Sequence, residues 1–162
     1  MPVQDLQRIG APKRGRSPWI GVALAVAALA GCAREASTTV PAPCTRGRGA
    51  VRMALVAAPG DVRLDGRRIS ECFVRGADQA AVQEAGVVFL PVAERLAPEV
   101  RARPSSPAAL RLGFLMGAIR RGTADTQGIY SELMRRLGQE LSGVDLRSAT
   151  YLRGQRAGAG HG

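Results

Sequence analysis

Histidine occurs once in the chain, as His161, inside a glycine-rich C-terminal run. A Ser-His or Cys-His catalytic pair needs its base held in fixed geometry, so a lone histidine on such a run argues against that chemistry. With only three cysteines beside it, the chain is also short of ligands for a Cys/His zinc site, and no metal and no cofactor are expected. Aromatic residues make up 4%, which leaves few platforms for stacking the bases of a single strand. No phosphate-binding loop or dinucleotide fingerprint occurs. Long apolar runs are missing too. The clearest one, Trp19 to Gly31, has 13 residues, short of the roughly 20 of an ideal membrane-spanning helix and within the range of a signal-peptide core.

What precedes and ends that run is informative. Arg8, Lys13, Arg14 and Arg16 stand before it against a single acid, Asp5, which is the positive flank of a signal peptide. The run closes on Leu29-Ala30-Gly31-Cys32, and this resembles the lipobox of bacterial lipoproteins: a leucine, two small residues and the acylated cysteine. The resemblance covers residues 13 to 32. It implies cleavage between Gly31 and Cys32, a lipid on the Cys32 thiol, and a protein held on the extracytoplasmic face of a cell membrane. Lys13-Arg14 is not a twin-arginine pair, which favours the general secretory route. Ala33 carries no inner-membrane retention signal by resemblance to the sorting rules of double-membrane bacteria. The rest of the chain resembles uncharacterised small lipoproteins of high-GC bacteria, a likeness that assigns no role.

Cleavage leaves residues 32 to 162, which is 162 minus 31, or 131 residues, enough for one ordinary domain. They carry 19 basic residues, all arginine, against 12 acids, a net charge of about +7. Part of that excess reflects the codon bias of a GC-rich genome. The rest suits a protein beside anionic lipid or an anionic wall polymer, because arginine's planar fork offers paired donors to phosphate. Export separates the chain from the cell's nucleic acid, so none is expected as a partner. Cys44 and Cys72 are an even pair in an oxidising location, and so a predicted disulfide.

Along the mature chain, residues 32–50 are small, polar and proline-containing, and read as a flexible tether. Val51 to Ala57 is a short apolar stretch. Asp65-Gly66 between short alternating flanks, Val62 to Ile69, suggests a β-hairpin with a type I′ turn. From Asp78, a candidate cap, Val82, Ala85, Phe89, Val92, Leu96 and Val100 recur at helical spacing. Pro91 should kink or divide that helix, and Pro98 and Pro104 should end it. Ser106-Pro107 starts a second helix, through Leu112, Leu115 and Ile119 to Gly122. A third is expected from Asp125 to Leu141, with Ile129, Leu133, Leu137 and Leu141 on one stripe. Residues 146–162 read as a disordered tail. The fold class expected is mainly α: a domain over 51–145 of about three helices, with a short N-terminal β-hairpin or irregular segment pinned by Cys44 and Cys72.

Candidate chemistry is sparse. Glu84, Glu94, Glu99, Glu132 and Glu140 could supply paired carboxylates for acid–base work in an envelope enzyme or enzyme accessory, but their spacings place most of them beside arginines on solvent faces. Gly113 and Gly117 form a small-xxx-small pair suited to a close helix crossing, expected against the first helix. Arg120, Arg121, Arg135 and Arg136 flank the second helical connection and are the candidate anion-binding residues. The function expected is a non-enzymatic envelope module that binds an anionic component or an envelope protein.

Overall fold

The computed structural model describes residues 39–162, so the expected presequence, Cys32 and residues 33–38 of the expected tether lie outside the described residues. The described chain folds into five helices: α1 (Arg48–Ala54), α2 (Gln79–Ala102), α3 (Pro107–Thr123), α4 (Ser131–Glu140) and α5 (Ala149–His161), with short 3-10 turns at Ala42–Thr45, Leu55–Ala57 and Ile69–Cys72. No β-strand occurs among the described residues, which overturns the three-helix fold with a hairpin. Asp65 and Gly66 do adopt positive φ angles of 47° and 80°. Only one antiparallel bridge follows, between Leu64 and Arg67, before the chain turns into Ile69–Cys72. Arms so short lack the ladder that would hold a hairpin.

The Cys44–Cys72 disulfide forms as expected, joining two of the 3-10 turns across a sequence separation of 28 with both cysteines buried. It places Cys44 inside the core, so the described end of the expected tether belongs to the domain.

Helix α2 begins where Asp78 accepts a 2.8 Å hydrogen bond from the Ala81 backbone N–H. Its buried side carries Val82, Ala85, Phe89, Val92 and Val100. It continues past Pro91 and Pro98 for 24 residues and stops at Ala102, before Pro104. The carbonyls that each proline ring would crowd, four residues earlier, belong to exposed Val87 and Glu94, where water can take the freed hydrogen bonds. Helix α3 starts on the Ser106 cap with Pro107 at its first position and runs to Thr123. It is buried on nearly all sides from Leu112 to Ile119, as befits a central helix.

The third expected helix starts later. Gln127 and Gly128 take positive φ angles of 54° and 81° and break the segment, so α4 begins only at Ser131. Tyr130, 1% exposed, takes the buried place expected of Ile129, which is 39% exposed. Leu133, Leu137 and Leu141 are buried as expected, and α4 lies against α2. Arg101 of α2 donates to the Glu140 and Ser142 carbonyls at 2.7 and 2.8 Å and fixes the end of α4.

The expected disordered tail is a helix. Ser148 caps α5 by accepting from the Tyr151 backbone N–H at 3.3 Å, and α5 packs along α3. A Cβ on Gly113 would stand 2.1 Å from the Tyr151 carbonyl oxygen, one on Gly117 2.1 Å from that of Gln155, and one on Gly154 2.1 Å from that of Leu110. The corresponding distance from Gly158 to the Phe114 carbonyl oxygen is 2.0 Å. Rising numbers on one helix meet rising numbers on the other, so α3 and α5 are parallel and touch backbone to backbone. The small-residue pair therefore serves a crossing with α5, not with the first helix. Carbonyl oxygens set against glycine Cα–H groups are the weak hydrogen bonds such seams use.

Candidate functional site

The carboxylates do not converge. Among the described residues every Asp and Glu is exposed except half-buried Glu140. Glu132 accepts from Arg135 at 2.7 Å and from Arg136 at 2.8 Å. Those hydrogen bonds, two from Arg135 and one from Arg136, hold its carboxyl at a pKa of about 2, well below the ordinary range. A carboxylate held ionised in this way is a poor proton donor or acceptor near neutral pH. His161 sits in the last turn of α5, where its ring nitrogen meets the Pro59 carbonyl oxygen at 2.9 Å and its ring lies 6.0 Å from that of Phe114, steeply inclined to it. Its partners are a carbonyl and a phenyl ring, not a hydroxyl or thiol to activate. No group of three or more metal-ligating side chains occurs among the described residues.

The four arginines singled out in the sequence are not gathered in one place. Arg121 donates to the Ala159 carbonyl at 3.0 Å and to the Gly160 carbonyl, closing the end of α5. Arg120 and Arg121 line a depression between α3 and α5 that also contains Asp125. Arg135 and Arg136 are taken up by Glu132, and Arg136 borders a groove of about 450 Å³ between α2 and α4 whose walls include Val82, Val87, Leu90 and Leu133.

A different set of guanidinium groups converges between α1 and α2. Arg48 and Arg52 lie one helical turn apart on α1 and line a depression with Arg95 of α2, while Arg52 and Arg95 also line an adjoining depression with Arg111 of α3. The two depressions, of about 510 and 770 Å³, share Arg52, Arg95 and Glu99 and so adjoin as one cleft. Among the described residues seven other arginines are paired with carboxylates within 4 Å. The side chains of these four make no ion pair or hydrogen bond with any described residue. Two acids border the cleft, Glu94 and Glu99, and Glu99 is shared with Arg103 at 3.6 Å. Four cations against two anions leave the cleft at +2.

No protein-family model, no curated protein and no solved structure matches the chain. The cleft therefore has to be interpreted from its own chemistry. Guanidinium forks bind phosphate and carboxylate oxygens through paired N–H donors, and a concave site partly shielded from water strengthens that attraction. The sequence carried one usable signal for it: Arg48 and Arg52 are four residues apart, a helical spacing. That signal is visible only once residues 48–54 are known to be a helix.

Proposed function

We propose that this chain is a lipid-anchored extracytoplasmic protein that works as a non-catalytic binding module on the cell envelope. The observation that carries the reading is the buried Cys44–Cys72 disulfide, because such crosslinks persist in oxidising compartments and are rare where thiols are kept reduced. It is independent of the lipobox at Leu29 to Cys32 and points the same way. Carboxylates that do not converge and a cleft of unpaired arginines support binding over acid–base catalysis. The cleft between α1 and α2 replaces Arg120, Arg121, Arg135 and Arg136 as the preferred anion site.

The test is the intact mass of the protein taken from its native membrane fraction, beside a Cys32→Ala variant. The expected mass is that of residues 32–162 plus a lipid, less two protons for the disulfide, with the lipid absent from the variant. An unprocessed chain without lipid overturns the anchor and with it the envelope function.

A further inference from the structure

The rim of the α1–α2 cleft is apolar as well as basic. Met53 and Val56, 78% and 63% exposed, are two of the five large hydrophobic side chains left exposed among the described residues, and both line the cleft with Arg52 and Arg95. Cations beside unsheltered apolar tips are what a surface at the lipid–water boundary presents: guanidinium groups for headgroup phosphates, and short apolar side chains for the acyl margin.

The chain also enters the domain on this side. Pro43 and Arg46, just after the first buried residue, Val40, share a depression with Met53. From Cys32 to Val40 is eight residues, a reach of at most ~28 Å at the ~3.5 Å per residue of an extended chain. A lipid on Cys32 therefore holds the domain within that reach of the bilayer.

We propose that the cleft of Arg48, Arg52, Arg95 and Arg111 binds the phosphate headgroups of anionic phospholipids, with Met53 and Val56 seated at the acyl boundary, so that the domain lies on its membrane. This deepens the proposed function and rests on it for the nearness of the bilayer. The cleft's +2 balance supplies the charge complementarity, and its four unpaired guanidinium groups supply the donors.

The experiment uses residues 32–162 with Cys32→Ser, which carries no lipid and retains the disulfide; among the described residues the buried hydrophobic core runs from Val40 to Tyr151. Sedimentation is compared between phosphatidylcholine vesicles and vesicles in which phosphatidylglycerol is the minor component. Binding is expected only to the second, and should weaken with added salt.

At about 1 kcal/mol per basic residue, each arginine removed lowers partitioning about fivefold. Arg48→Gln with Arg52→Gln should lower it about 25-fold, and Arg95→Gln with Arg111→Gln by a similar factor. Met53→Ser should weaken binding with no change in its salt dependence. A charge-matched control, Arg153→Gln with Arg156→Gln on exposed positions of α5, should leave binding within about twofold.

Equal losses from the cleft pair and the α5 pair would mean that net charge, not the cleft, drives binding, and would overturn the proposal. So would displacement by inorganic phosphate where chloride of the same ionic strength has no effect, since the cleft would then be a site for soluble phosphate. Because the test chain has no lipid, a failed anchor shows in the native mass alone and a failed cleft in the vesicles alone.

Discussion

Two glycine-to-alanine substitutions, one in the α3–α5 seam and one away from it, should have opposite effects on stability. At Gly158 an added Cβ stands 2.0 Å from the Phe114 carbonyl oxygen, and at Gly86, inside α2, it meets nothing within 4 Å. An ordinary carbon–oxygen contact is ~3.4 Å, so α5 must retreat by about 1.4 Å at Gly158. A gap of even ~0.5–1 Å already forfeits a quarter to a half of each dispersion contact along the seam. No rotamer relieves the clash, because the atoms opposite are backbone. The cost therefore falls at the upper end of the ~1–3 kcal/mol typical of overpacking. Better helix propensity returns ~1 kcal/mol, for a net loss of about 2 kcal/mol. Gly86→Ala keeps the propensity gain, about 1 kcal/mol, with no clash to set against it. At roughly 4 °C per kcal/mol for a domain of this size, the two Tm values should lie about 12 °C apart, on either side of the parent. Thermal unfolding followed by circular dichroism measures both. If Gly158→Ala is as stable as Gly86→Ala, the backbone seam is not what holds α5. Adding Gly154→Ala to Gly158→Ala should cost less than the sum, since the first methyl has already parted the helices.

Replacing both Cys44 and Cys72 by alanine should cost about 3.5 kcal/mol in the chain-entropy treatment of a loop this long, measured by urea unfolding against the oxidised parent. The Glu132 carboxyl should titrate near 2, and Arg135→Gln with Arg136→Gln should return its NMR midpoint towards 4.5. With a folded pKa below the unfolded one, the stability Glu132 contributes is complete above about pH 4.5 and is lost as pH falls towards 2. Burial raises the pKa of Tyr130 and of Tyr151 above 10.0. The fold therefore loses stability as pH rises past 10, and tyrosinate absorbance should appear together with unfolding instead of before it.

The helices legible in the sequence announce themselves through side chains. Asp78 and Ser106-Pro107 mark two starts, and apolar residues at spacings of three and four mark the buried faces of α2 and α3. The Cys44–Cys72 pair followed from compartment and parity. The elements that escaped are those whose packing does not depend on large apolar side chains. Gly154, Gly158 and Gly162 repeat at intervals of four, as Gly113 and Gly117 do on the helix they meet, yet a stripe that buries backbone has no hydrophobic pattern and resembles a disordered tail. Val51 and Leu55, both 1% exposed, are also four apart, but one pair is too short to separate a helix from a strand. Asp65-Gly66 misled in the opposite direction, because turn chemistry fixes a turn and says nothing of how far its arms continue. The basic cleft was out of reach for the same reason as α1: it exists only where α1 lies against α2.

The parallel run of α3 and α5 also has an electrostatic consequence. Helices in the same direction bring their negative ends together, each equivalent to about half an electron charge, so Thr123 and His161 close two like poles at one end of the seam. Arg121 belongs to the last turn of α3, yet donates to the Ala159 and Gly160 carbonyls in the last turn of α5. One guanidinium therefore offsets the poles of both helices, and a seam built from uncharged glycine depends on a cation to keep its two ends from repelling each other.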